Sequence, residues 1–151
     1  MVTKAALPSL LSVLAFSLAC SVFTAPGDFP HAAASFQCGP ADGAATGITL
    51  ASQPIPPAGP TSFPYVAIMI DQPLAALAGH TFLVGNGGKA GATYAAGPNS
   101  YESASVGRVI IASVDADSTI HGNVSLSFSS RVVIDYFTAA WIQRTGTVVC
   151  G

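Results

Sequence analysis

The chain carries little charge. Only 8% of its 151 residues are Asp, Glu, Lys or Arg, whereas about a quarter are charged in typical soluble domains. Lysine occurs only at Lys4 and Lys89, and the three arginines are scattered. Electrostatic binding of nucleic acid or of anionic lipid requires clustered basic residues, so the composition excludes a basic interface of either kind. The exposed surface must therefore be built largely from uncharged polar residues and backbone groups.

Long apolar runs are scarce, and the longest lies at the N-terminus. Residues 5–19 follow the positive charge of Lys4, and a stretch of this length is typical of an export leader and short for a membrane span. Ser17 and Ala19 are small residues at the third and the first position before the Ala19–Cys20 peptide bond, as signal peptidases require at a cleavage site. We therefore predict a signal peptide over residues 1–19. An uncleaved membrane anchor is the alternative, because the apolar character continues through Phe23.

Cysteine is also rare, with three residues in the chain. Cys38 precedes the first predicted strand and Cys150 follows the last one. Exported compartments are oxidising enough to maintain disulfides, so we predict a Cys38–Cys150 bond. Such a bond requires that the first and last strands be neighbours, because the two Cα atoms must approach within about 7 Å.

The remaining cysteine, Cys20, has two interpretations. It is either an apolar residue of the discarded leader, or the first residue of the mature chain, with lipid attached to its thiol. The sequence Ser17-Leu18-Ala19-Cys20 is similar to the end of bacterial lipoprotein leaders, although those usually have Leu where Ser17 stands and a small residue where Leu18 stands. Residues 20–37 lack any helix or strand period and are predicted to form a flexible tether. The mature chain would carry four basic and seven acidic side chains, a formal charge of −3.

The residues from 38 to 151 are predicted to form one β-domain. The clearest pattern covers residues 120–129, where apolar residues or glycine alternate strictly with polar residues, as in a strand with one buried face. Residues 132–143 are apolar on both sides, which favours a central strand. Residues 53–64 contain five prolines and residues 85–100 are rich in Gly and Ala, so both are predicted to be loops, with a weak strand near Tyr94 as the alternative for part of the second. About seven antiparallel strands follow, arranged as an all-β sandwich or a partly open barrel.

The C-terminal half carries the pattern G-x-V-x-L-x-F over residues 122–128, then F-x-A-x-W over residues 137–141, then the closing Cys150. In this pattern it resembles small predicted lipoproteins and secreted β-domain proteins of bacteria whose function is unknown. This resemblance covers about a third of the domain and consists of core-type residues. It implies β-structure and export, and it implies no activity.

Sequence patterns that carry chemistry are few. The chain lacks a G-x-S-x-G elbow and any H-x-x-x-H spacing, so we predict no catalytic residue, metal site or cofactor. The segment Gly85–Ala90 has the spacing of a dinucleotide loop, but the glycines and the proline after it argue against the helix that such a site requires. A polar strand face with His121, Asn123 and Ser125, together with the aromatic ring of Trp141, is the candidate ligand face. Trp141 shares one side of its strand with Phe137, which favours a core position for its ring, and a platform that stacks sugar or peptide is the alternative.

We therefore predict an exported, non-enzymatic envelope domain that has a binding or structural role. Its location would be the periplasm, the outer membrane, the cell surface or the medium. A protein or carbohydrate of the cell envelope would be the ligand, and lipid on Cys20 would supply membrane attachment. Two alternatives remain. One is a fibre or adhesin subunit that assembles by strand addition, since the strands are poor in charge. The other is a small secreted hydrolase, if Asp71 or Asp135 orients His121.

Overall fold

The structure, a computed structural model, describes residues 27–143 and residue 150. The predicted signal peptide, Cys20 and the first part of the predicted tether lie outside these residues. The described chain forms strands and a single turn of 3-10 helix at Leu74–Ala76. The strands are β1 (His31–Cys38), β2 (Ala44–Ala51), β3 (Tyr65–Ile70), β4 (Thr81–Val84), β5 (Ala90–Gly97), β6 (Ser100–Ser103), β7 (Val106–Val114), β8 (Ile120–Ser127) and β9 (Val132–Trp141).

Eight of the strands close into a barrel. The order around the barrel is β1-β2-β3-β5-β4-β7-β8-β9, and β9 returns to β1. The β1–β9 and β4–β5 pairings are parallel, and the other pairings are antiparallel. The ninth strand, β6, is added to β5. The prediction of a single all-β sandwich or barrel is confirmed. The predicted count of about seven strands and the all-antiparallel arrangement are wrong, because the described residues form nine strands, two of the pairings are parallel, and the barrel is closed rather than partly open.

Two segments that were predicted to be irregular are strands. Residues 31–37, assigned to the tether, form most of β1, so the domain boundary predicted at residue 38 is too late. Residues 90–97, within the predicted Gly/Ala loop, form β5, which pairs with β3 along six consecutive residues. Both strands are rich in alanine, which has a low strand propensity. Pairing with neighbouring strands and burial override that propensity.

The barrel interior is a packed apolar core. An eight-stranded barrel is just wide enough for inward side chains to fill it. Aliphatic residues from every strand of the barrel do so, joined by aromatic rings from β4, β5 and β9. The largest fully buried side chains are Ile48, Leu50, Val66, Ile68, Ile70, Leu77, Val109, Ile111, Ile120, Val124 and Leu126. In the described part of the chain, no helix is long and apolar enough to cross a membrane.

Strand β8 lies at the centre of the most regular part of the sheet. Its alternation is as predicted, with Ile120, Val124 and Leu126 buried and the residues between them partly exposed. It pairs along its whole length with β7 on one side and with β9 on the other. Gly122 lies opposite Phe137 of β9, and a Cβ at Gly122 would come within 2.8 Å of the Phe137 ring. The missing side chain therefore provides space for an aromatic ring in the core.

The predicted disulfide between Cys38 and Cys150 is present, with a Cα–Cα distance of 5.4 Å. It links the end of β1 to a residue beyond the end of β9. This is also where the barrel closes, through a ladder in which Ala33 and Ala34 lie opposite Ala140 and Trp141. The first and last strands of the barrel are therefore neighbours, as the disulfide prediction required.

Candidate functional site

Large apolar side chains lie exposed on the outside of β4, β7 and β9, three of the four consecutive barrel strands β4, β7, β8 and β9. Ile134 and Tyr136 of β9 are 70% and 72% exposed. Val132 of β9, Val106 of β7 and Leu83 of β4 are also exposed. We call the outward side chains of these four strands the β8 face, after the strand on which the polar residues of the face lie.

A track of small polar side chains divides the β8 face. In the ladder, Ser125 of β8 lies opposite Ile134 on one side and opposite Arg108 on the other. Asn123 lies opposite Tyr136 in the same way. The track is therefore flanked by an apolar ridge from β9 and by a mixed ridge from β7 that carries an exposed guanidinium group. Such a surface can contact apolar groups and can donate hydrogen bonds.

The candidate ligand face predicted from the sequence is only partly assembled. His121, Asn123 and Ser125 lie on the outer side of β8, as expected. Trp141 does not join them, because it lies on the side of β9 that packs against the core, in phase with Phe137 and Ala139. The prediction that Trp141 belongs to this face is wrong. The aromatic ring that β9 contributes to the face is the exposed ring of Tyr136.

Sequence reasoning missed the apolar residues of this face. Residues 132–143 were interpreted as a central strand because both sides are apolar. Strand β9 does lie between β8 and β1, but the outward side chains of its first half are exposed. The only signal in the sequence was that Val132, Ile134 and Tyr136 share one side of the strand, and burial would give the same pattern.

At one border of the β8 face, His121 belongs to a chain of hydrogen-bonding groups. Its Nε2 lies 2.8 Å from Oδ2 of Asp115, and its Nδ1 lies 3.1 Å from Oγ1 of Thr138. With the proton on Nε2, the Asp115 carboxylate accepts a hydrogen bond and Nδ1 accepts one from the Thr138 hydroxyl. This is the order of groups in a nucleophile–base–acid relay. The acid is Asp115, from the turn before β8, and not Asp71 or Asp135 as the sequence analysis considered.

Asp135 instead faces the barrel interior and is buried. Its Oδ2 accepts a hydrogen bond from the backbone N–H of Phe29 at 3.2 Å. Burial raises the pKa of the Asp135 carboxyl above its ordinary value, and the nearby Asp28 adds to the shift. The segment that leads into β1 is therefore fixed to β9 by a carboxylate within the barrel.

The carboxylate of Glu102 supports the turn between β8 and β9. Glu102 of β6 accepts hydrogen bonds from the Ser129 hydroxyl at 2.7 Å and from the Ser130 backbone N–H at 3.0 Å. Hydrogen bonds from Ser130 and Ser129 lower the pKa of Glu102. Arg131 in the same turn donates a hydrogen bond to the Tyr94 hydroxyl at 2.8 Å. The added strand β6 therefore holds the β8–β9 turn, and with it the edge of the face.

Other candidate sites have less chemistry. A groove of about 330 Å³ runs over the outside of β2, β3 and β5, where it is lined by small residues such as Thr49, Ala67 and Gly91. The Gly85–Lys89 loop leads into strand β5 and not into a helix, so it lacks the helix N-terminus on which a dinucleotide site depends. Within the described residues, no three His, Cys, Asp or Glu side chains are grouped as metal ligands would be.

Comparisons of the chain with protein-family models, with curated proteins and with solved structures found no match. The resemblance to small bacterial lipoproteins therefore remains a prediction that depends on the residues quoted above.

Proposed function

We propose that the protein is an exported, non-enzymatic domain of the cell envelope. In this proposal it is anchored by lipid on Cys20 and binds its partner through the β8 face. The observation that carries the binding role is the exposure of five large apolar side chains on one side of the barrel, Val132, Ile134 and Tyr136 on β9 and Val106 and Leu83 on β7 and β4, with the polar track of β8 between them. Single exposed apolar residues are normal on protein surfaces, whereas several on one side, bordered by polar residues, are typical of an interaction site.

The disulfide supports the exported location. Disulfides persist in oxidising compartments and are rare in proteins of the reducing cytosol. The Cys38–Cys150 bond joins two ends of the barrel that are far apart in the sequence, and a loop of that length gives a large entropic stabilisation. A domain that depends on this bond is suited to the periplasm or the cell exterior.

The proposal is tested by fractionating cells that produce either the full chain or its Cys20→Ser variant. We expect the unaltered chain in the membrane fraction and the variant in the soluble exported fraction, because the variant has no thiol to carry lipid. An Ala19→Ser variant, which keeps Cys20 and a small residue before it, is the matched control and should stay in the membrane fraction. Recovery of both forms from the cytoplasm with free thiols would refute export.

A small hydrolase is the second candidate, and the Thr138–His121–Asp115 chain is the observation that favours it. The three groups have the types and the distances that an activated hydroxyl requires. Turnover of an activated aryl ester by the wild-type protein, lost in Thr138→Val, would support this activity. Rates equal to those of heat-denatured protein would reject it and leave the chain as a clamp between the β7–β8 turn and β9.

A further inference from the structure

We infer that the partner of the β8 face is the surface of the lipid bilayer to which the protein is attached. The inference rests on the proposed lipid anchor at Cys20 and goes beyond it, because it assigns an orientation to the barrel. Strand β8 and its neighbours would lie on the membrane. Strand β3, four strands away from β8 in either direction around the barrel, would point away from it.

The N-terminal part of the domain contacts strand β9. Gly27 packs directly against the Asp135 carboxylate, so closely that a Cβ at Gly27 would overlap it. The Asp135 side chain points into the barrel, whereas its neighbours Ile134 and Tyr136 point outward from the same strand. The anchored chain therefore meets the barrel at β9, one of the strands of the β8 face. A lipid on this chain holds the β9 side of the barrel closer to the bilayer than the β3 side.

The distance from Cys20 to the barrel is limited. Cys20 precedes Gly27 by seven residues, and a fully extended chain spans at most about 3.6 Å per residue, so the lipid lies within about 25 Å of Gly27. Neighbouring strands are about 4.8 Å apart, so the face from β9 to β4 is on the order of 15 Å wide. An anchor at Cys20 is therefore compatible with the whole β8 face lying flat on the bilayer.

The composition of the face suits a membrane interface. At its border, His121 pairs with the Asp115 carboxylate of the preceding turn. The other described outward positions of β4, β7, β8 and β9 carry one charged side chain, Arg108, and no carboxylate. Tyrosine is favoured at membrane interfaces, where its ring meets apolar groups and its hydroxyl meets water. An exposed arginine can extend to a lipid phosphate while its methylene groups remain on apolar surface. A face of this composition can enter the headgroup region without burying an acidic group.

The contact would depend on apolar surface. Binding at a membrane interface strengthens with the apolar area that enters the interface and with attraction between basic side chains and anionic lipid. The chain has only five Lys and Arg residues and no polybasic segment, so the apolar side chains of the β8 face would supply most of the contact. Because the contact is apolar, we expect it to persist on zwitterionic lipid and at high salt.

The test uses the full chain, purified from cells that process its leader and inserted into phosphatidylcholine vesicles. A single environment-sensitive fluorophore is placed at Ile134→Cys on the β8 face, or at Ala67→Cys on β3 as the matched control. Both positions are exposed, so neither substitution disturbs the core. On binding to vesicles, the emission of the fluorophore at position 134 should shift to the blue, and nitroxide-labelled phosphatidylcholine in the vesicles should quench it. The fluorophore at position 67 should show neither change.

The outcomes separate the orientation from the anchor. If the mature N-terminus carries lipid but positions 134 and 67 respond equally, the orientation is wrong and the anchor stands. If the mature chain starts elsewhere without lipid, the anchor fails and the orientation fails with it. A blue shift at position 134 without lipid, together with the mass of a dimer, would assign the face to a second copy of the chain and overturn the inference. Retention of the nitroxide quenching at position 134 at high salt would support it.

Discussion

The strongest quantitative prediction concerns the disulfide. Replacing both cysteines, in Cys38→Ser with Cys150→Ser, opens a loop closed over a separation of 112 residues. In the chain-entropy model, closing a loop of about 100 residues stabilises the folded state by about 4.7 kcal/mol. Small domains have free energies of unfolding of about 5–15 kcal/mol, so this loss is a large share of the total. At roughly 4 °C per kcal/mol for a domain of this size, the thermal midpoint should fall by on the order of 15–20 °C.

The structure also predicts where this loss is felt first. Strand β1 and strand β9 share a short ladder, whereas β8 is paired along its whole length with β7 and β9. Without the disulfide, the contacts that hold β1 to β9 among the described residues are that short ladder, the hydrogen bond from the Ile142 N–H to the Ala34 carbonyl oxygen, and the bond from the Phe29 N–H to the Asp135 carboxylate. Amide hydrogens of β1 should therefore exchange faster in the double variant, while those of β8 change only with global stability.

The assay is urea unfolding of the wild-type protein and of the double variant, each with and without a thiol reductant. Reduced wild-type protein should match the variant, and the reductant should leave the variant unchanged. An unfolding midpoint of reduced wild-type protein equal to that of the oxidised form would refute the reasoning. So would equal acceleration of amide exchange in β1 and β8 at a small change in global stability.

Three further predictions follow from single side chains. Gly122→Ala should destabilise the protein by about 1–3 kcal/mol, because a Cβ there meets the Phe137 ring. Gly91→Ala, at a strand position with open space around it, should be nearly neutral in the same denaturation assay. Equal effects of the two substitutions would contradict the packing argument. Because the pKa of Asp135 is raised in the fold, the stability of the protein should decline as pH rises from the unfolded pKa of 3.8 through the raised pKa. Asp135→Asn should remove this decline in thermal midpoints measured across pH. The prediction fails if the variant is less stable than the wild-type protein at neutral pH. Because the pKa of Glu102 is lowered from 4.5, its stabilisation of the β8–β9 turn should be lost as pH falls through the lowered pKa. Glu102→Gln should flatten this dependence of stability on acidic pH. An unchanged dependence in the variant would show that the turn does not depend on this carboxylate.

The strands that could be predicted from the sequence are those with strong alternation or strong β-propensity. Strand β8 shows both faces in its sequence, because apolar and polar residues alternate without interruption. Strands β1 and β5 could not be found in this way, since they consist mostly of alanine, glycine and small polar residues. Their conformation depends on pairing with strands that are distant in the sequence, and no local pattern reports such pairing.

The candidate site was only partly predictable for a related reason. The polar residues of β8 mark an outward face, so His121, Asn123 and Ser125 could be assigned to it. An apolar residue on a strand gives no sign of whether another layer covers it, so Ile134 and Tyr136 resembled core residues. Trp141 shares one side of its strand with Phe137, so the sequence itself favours a core position for this ring, and the structure places it there. Only the chemistry of the ring supported its assignment to the ligand face.

The most direct test of the account is the intact mass of the mature protein isolated from cells that export it. The account predicts a chain that begins at Cys20, that is heavier than its sequence by the mass of attached acyl groups, and in which Cys38 and Cys150 resist alkylation until they are reduced. A mature chain that starts at another residue without lipid, or that offers free thiols at positions 38 and 150, would contradict it.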